Sequence, residues 1–95
     1  MSAEILIIDD NPDIRNIIRD LINESGYKTR VAANYSQALK EIDKKLPDVA
    51  IIDVKLDKGD NDGIELLTHI KKKNKYVPVI IISGHANIDL SLIHI

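Results

Sequence analysis

Hydrophobic and polar positions alternate along this chain with two different periods, strand-like and helix-like in turn. Ile5-Leu6-Ile7-Ile8 is a continuous apolar run, the pattern of a strand buried on both faces. Asn11-Pro12 then supplies a cap and a first-turn proline. Ile14, Ile17, Ile18, Leu21 and Ile22 follow at helical spacing as far as a stop at Gly26. Tyr27 to Ala32 reads as a more polar strand near a sheet edge, and Ala38, Leu39, Ile42 and Leu46 mark a second helix closed by Pro47. Val49 to Ile52 is the next buried strand. After a loop rich in Gly, Asp and Asn, Asp62 caps a helix with Ile64, Leu67 and Ile70 inward, its terminal lysines suiting the negative end of the helix. Val77 to Ile82 is the fourth strand.

The element order is therefore βαβαβαβ. Short connections and right-handed crossovers make a mostly parallel α/β sheet the default. Placing strand one beside strand three gives a flavodoxin-like doubly wound sheet of order 2-1-3-4, with a switch point between those two strands. The 95 residues suffice for one domain and leave no room for a second.

Composition narrows the function classes. The 13 basic and 15 acidic residues are well mixed, and the only basic run is Lys71-Lys72-Lys73, so no concentrated basic stripe for nucleic acid is present. Zero cysteines remove disulfides, thiolate catalysis and thiolate metal sites. No apolar run approaches the ~18 residues of a membrane span, and the start Met-Ser-Ala-Glu has no basic leader region. The expectation is a cytoplasmic protein without membrane or direct nucleic-acid contacts.

Chemistry concentrates in three aspartates. Asp9 and Asp10 follow the first strand and Asp53 follows the third, so all three fall where a parallel sheet binds its ligands. Taken singly, Asp9-Asp10 is a helix cap and Asp53 a turn acid, but Asn11 already offers the cap. Converging carboxylates repel by roughly 4 kcal/mol per pair of unit charges at 4 Å and an effective dielectric near 20, which calls for a cation between them. Mg²⁺ suits such a site, since it takes carboxylate, water and phosphate oxygens. Aspartate is also a nucleophile toward phosphoryl groups, and a small hydroxyl near the metal would complete the site. Ser83, before Gly84, is placed for that, though on local sequence alone an ordinary turn serine is the stronger reading. An EF-hand reading of Asp57, Asp60, Asn61 and Asp62 fails, because aligning Gly63 as the loop glycine puts Lys58 and His69 at ligand positions. His69 reads as solvated; His85 flanks Ser83, and a place on the site rim is its minority reading.

Four segments carry a family resemblance: Ile5-Leu6-Ile7-Ile8-Asp9-Asp10-Asn11-Pro12, Val49-Ala50-Ile51-Ile52-Asp53, Asp62-Gly63-Ile64-Glu65-Leu66-Leu67 and Val79-Ile80-Ile81-Ile82-Ser83-Gly84. In order and spacing they resemble the receiver domain of bacterial two-component response regulators. The resemblance implies a phosphoacceptor module in phosphorelay signal transduction, modified on Asp53 by a sensor histidine kinase. It also implies Mg²⁺ held by Asp9, Asp10, Asp53 and the Lys55 carbonyl, with Ser83 as the switch hydroxyl. Such a module controls its own output domain, commonly in transcription regulation, and is a signalling device more than a turnover enzyme; dimerisation is left open. The loop Lys55 to Gly63 and the phrase Ser83-Gly84-His85-Ala86-Asn87-Ile88 are similar to nitrogen-regulation receivers of the NtrX/NtrC type.

The family pattern continues with another helix, a fifth strand bearing a Lys-Pro step, and a last helix, none of which is found here. Residues 1–89 are therefore expected to be a truncated receiver domain. Residues 90–95, Leu-Ser-Leu-Ile-His-Ile, match a translation of a transposase mosaic end, CTG-TCT-CTT-ATA-CAC-ATC, and are expected to be a non-native tail. A strand four left as an open Val/Ile edge would be an association hazard. Two rival functions stay open: a pseudo-receiver acting only as a protein-binding module, and a fragment of an Asp-nucleophile phosphotransferase. Against the latter, Lys55 occupies the place two residues after Asp53 where such enzymes usually carry a second acid.

Overall fold

The computed structural model describes residues 3–53, 62–84 and 88–93. Strand β1 (Glu4–Ile8) leads into helix α1 (Pro12–Glu24), followed by β2 (Lys28–Ala32), α2 (Tyr35–Lys44) and β3 (Val49–Asp53). Helix α3 (Asp62–Lys73) and strands β4 (Val79–Gly84) and β5 (Ile88–Ile93) complete the order. The α1 cap is where the sequence places it and α2 has one the pattern does not single out, while Asp62, expected to cap α3, is that helix's first residue. Asn11 Oδ1 accepts the N–H groups of Asp13 and Ile14 at 2.9 and 3.3 Å, and Asn34 Oδ1 accepts that of Gln37 at 2.9 Å. After α1 the chain turns at Gly26 with φ +95°, a left-handed conformation that glycine adopts without cost. Beyond the end of α3, Lys71 Nζ donates to the carbonyls of Val77 and Lys75, tying the following turn back to the helix.

The sheet runs β2-β1-β3-β4-β5. Its parallel part has the expected order 2-1-3-4, with β2 at an edge and β1 beside β3 in the register Ile8 to Ile52. The last strand is an addition to the sequence reading: β5 pairs antiparallel with β4, from Gly84 opposite Ile88 to Val79 opposite Ile93. It covers the β4 edge that the pattern alone leaves open, using residues of the expected tail. Only His85, Ala86 and Asn87 separate the two strands. So short a connection suits a hairpin and cannot make the helical crossover that a parallel strand needs.

Because side chains alternate across strands, the cross-strand row Ile8, Ile52, Ile81 faces α2 and α3, while Ile7, Ile51 and Ile80 face the α1 side. The first face is closed: Leu6, Ala50, Val79, Ala38, Ile42, Leu66 and Ile70 are fully buried there. Among the described residues the second is covered by α1 alone, which lies toward β2. No α1 residue is buried; Ile18 and Ile22 are half-buried, and Ile17 and Leu21 are each 59% exposed.

Three local expectations change. In α3 the inward residues are Leu66, Leu67 and Ile70, whereas Ile64 is exposed, because the helix turns Leu66 rather than Ile64 onto the sheet. Strand β4 begins at Val79 and not Val77, since Pro78 has no N–H to give the ladder; its carbonyl accepts the N–H of Ala50 at 3.1 Å. His69 is paired and not merely solvated: Nε2 lies 2.9 Å from Asp43 Oδ1 on α2, with Lys73 Nζ 3.2 Å from the same oxygen. Hydrogen bonds from His69 and Lys73 hold the Asp43 carboxyl below its ordinary range.

At the opposite end of the sheet from the three acids, Arg30 ties β2 to β1 and α2. Its Nε forms an ion pair with Glu4 at 2.9 Å, Nη1 reaches the side chain and carbonyl of Glu41, and Nη2 reaches the Lys45 carbonyl at 2.6 Å.

Candidate metal centre

The register that joins β1 to β3 also builds the site. Ile8 pairs with Ile52, so Asp9 and Asp53, each one residue further along parallel strands, emerge side by side at the carboxyl edge of the sheet. Asp9 and Asp53 are buried, at 3% and 6% exposure, and Asp10 is exposed. Carboxylate oxygens of all three lie within 4.8 Å of one another. The structure thus assembles the acids that the sequence places at two strand ends.

Asp9 is held from several directions. Its N–H donates to the Ala32 carbonyl at 3.2 Å, carrying the contact with β2 one residue past the strand. Its Oδ1 accepts the N–H of Asn11 at 2.9 Å, and its carbonyl accepts Arg15 Nη1 at 2.9 Å. Burial raises the carboxyl's proton affinity above the ordinary value of 3.8, and the Asp10 charge adds to that. The Asn11 N–H, the Arg15 guanidinium and a hydrogen bond with Asp53 oppose the rise without cancelling it.

A buried carboxyl that holds its proton harder than usual, beside two more carboxyls, is a place where a cation can replace the proton. The donors are all hard oxygens, which fits Mg²⁺ or Ca²⁺ and disfavours the softer transition metals. Asp9, Asp10 and Asp53 are the residues that would hold it.

Of the remaining expected site residues, Lys55 and the rim histidine His85 lie outside the described residues, as do Asp57, Asp60 and Asn61 of the loop. The backbone of Ser83 stands one step past Ile82, the β4 partner of Asp53; its side chain is outside the described set. Two supports went unnoticed in the sequence: the Asn11 N–H and Arg15. The signal for the second is a basic residue one turn into a helix that opens just after paired acids. A shallow groove of about 520 Å³ lined by Tyr35, Ile64, Glu65, Thr68, His69 and Lys72 involves none of the three acids. Among the described residues no helix is long and apolar enough to cross a membrane.

Comparison with known proteins places this geometry. The family described as response regulator receiver domain matches residues 5–93. The chain is 39% identical over 92 residues to the nitrogen assimilation regulatory protein NtrX of Azorhizobium caulinodans, covering 97% of this chain and 20% of that protein. It is 37% identical over 90 residues to the sporulation initiation phosphotransferase F of Bacillus subtilis, covering 95% and 71%. The crystal structure of the receiver domain of NtrX from Brucella abortus superposes with a TM-score of 0.77 at 37% identity, over 87% of this chain and 69% of that one. The chain spans about a fifth of the length of the NtrX-type relatives it matches.

Proposed function

We propose, from the fact that this chain belongs to the response regulator receiver domain family, that it accepts a phosphoryl group on Asp53 from a phosphohistidine donor. The observation that carries this reading is the convergence of Asp9, Asp10 and Asp53 carboxylates within 4.8 Å at the ends of β1 and β3. An Asp53 oxygen attacks phosphorus in line, an O–P bond forms, and the N–P bond of the donor breaks with its electron pair passing to the imidazole nitrogen. The product is an acyl phosphate. Mg²⁺, when bound, supplies charge neutralisation for the phosphoryl oxygens. The chain's own part is positional: Asp9 and Asp10 gather the negative charge that holds the cation beside Asp53, and burial keeps the nucleophile in one orientation. In this reading the Lys55 carbonyl is a further ligand and the Ser83 hydroxyl turns toward the phosphoryl group, shifting the β4 face that an output domain reads. The donor is a sensor histidine kinase, and the relatives' greater length accommodates the output domain.

The pseudo-receiver reading is disfavoured by the presence of all three acids. A small acyl-phosphate donor with Mg²⁺ tests the proposal: one phosphoryl group per chain in the wild type and none in Asp53→Asn are expected. Hydrolysis of many equivalents of donor would support a turnover enzyme instead, and no transfer at all a binding module.

A further inference from the structure

We propose that Arg15 is a positioning residue for the cation site, fixing the turn that carries Asp9 and Asp10. The inference rests on reading Asp9, Asp10 and Asp53 as that site.

Only Asp9, Asp10 and Asn11 join β1 to α1, so the direction of two acidic side chains depends on the backbone of three residues. At its start this turn is fixed by the β2 ladder, through Asp9 N–H to Ala32 O at 3.2 Å. Within it, Asp9 Oδ1 takes the Asn11 N–H. What remains to be fixed is the peptide between Asp9 and Asp10, whose carbonyl takes no backbone donor among the described residues. Arg15 supplies one from the first turns of α1, with Nη1 2.9 Å from Asp9 O. A rotation of that peptide would swing Asp10 away from Asp9 and Asp53, and the guanidinium opposes it.

The partner choice is informative. Arg15 is half-buried and stands close enough to the cluster to lower Asp9's proton affinity, yet among the described residues no carboxylate lies within ion-pair distance of it. It binds a neutral carbonyl beside an acidic site instead of neutralising an acid, leaving the carboxylate oxygens to a cation. A rigid guanidinium does this with less lost freedom per bond than an ammonium.

Charge and position make opposite forecasts. A cation beside a cation site weakens metal binding by repulsion, so removing Arg15 for its charge alone would tighten it. Removing a residue that orients a ligand weakens metal affinity by 10–100-fold in general.

The test is calorimetric titration of the apo chain with Mn²⁺ and Mg²⁺, which reads affinity without phosphorylation. Arg15→Met is expected to bind about tenfold more weakly than wild type. Arg15→Lys, which keeps the charge but donates from a mobile ammonium, is expected to fall between them. Equal or tighter binding in either variant overturns the assignment, and Arg15→Lys serves alone should Arg15→Met fail to fold by circular dichroism. Wild type and Asp10→Asn separate this from the underlying reading: no binding by wild type, or undiminished binding by Asp10→Asn, overturns the site itself. Normal wild-type binding with unaltered Arg15 variants overturns only the role of Arg15.

Discussion

Asp9 and Asp53 stand side by side because Ile8 pairs with Ile52: the parallel register of two buried strands delivers two carboxyls to one point. Isolated, each would be a loop acid. Together with Asp10 they form a cluster whose repulsion the folded chain must carry until a cation relieves it.

The apo chain should therefore lose stability as pH rises. Asp9's proton affinity is raised in the fold, so above its ordinary value of 3.8 the native state binds more protons than the unfolded state. Stability then falls with pH from that value up through the raised one, and the loss is complete above it. Asp9→Asn keeps an acceptor for the Asn11 N–H and removes the charge. Its apo melting temperature at pH 7 should exceed the wild type's, by about 4–8 °C per kcal/mol of repulsion relieved, and saturating Mg²⁺ should stabilise the wild type more than the variant.

Much of this fold was legible because its strands are buried on both faces. Runs such as Ile5 to Ile8 and Val49 to Ile52 read as strands, and the acids that follow them read as a site, since side-chain burial and strand ends are local properties. Strand β5 was not legible as such. Its pairing with β4 depends on a three-residue connection selecting a hairpin, a tertiary outcome that its own six residues do not announce. Ile64 reads as inward because its i, i+3 spacing to Leu67 suits a buried stripe, but the stripe is centred on Leu66 and Ile70, and Ile64 stands about 200° from Leu66 around the helix. Arg15 is harder to read because its partner is a backbone carbonyl, so that only its place one turn into α1, just after paired acids, hints at the contact.

The two sheet faces should respond differently to truncation. Leu66→Ala, fully buried between α3 and the sheet, should cost about 2–5 kcal/mol. Leu21→Ala, on the uncovered side of α1, should cost about 0.5 kcal/mol. Urea unfolding of both variants checks this. Equal costs would mean that α1 is covered in solution.

The Arg30 tie should be worth more than an ordinary surface pair. Arg30→Ala leaves the Glu4 and Glu41 carboxylates and the carbonyls of Glu41 and Lys45 without their guanidinium. A loss of about 1–3 kcal/mol in chemical denaturation is expected, little altered by salt because these groups are mostly buried.

The uncovered apolar stripe of Ile14, Ile17 and Leu21 should drive self-association. Leu21→Gln, which removes an exposed apolar group without opening a cavity, should shift the chain toward monomer in sedimentation velocity at matched concentration. An unchanged distribution would place the association elsewhere, with the β5 edge the next surface to alter.

Phosphoryl capture on Asp53 is the most direct measurement of all. After incubation with a small acyl phosphate and Mg²⁺, borohydride reduction converts an aspartyl phosphate to homoserine, which peptide mass mapping locates by residue. Homoserine is expected at position 53, dependent on the divalent cation, diminished in Asp10→Asn and absent in Asp53→Asn. Homoserine at another aspartate, or an unmodified Asp53 in a folded, cation-loaded wild-type chain, would contradict phosphoryl capture on Asp53.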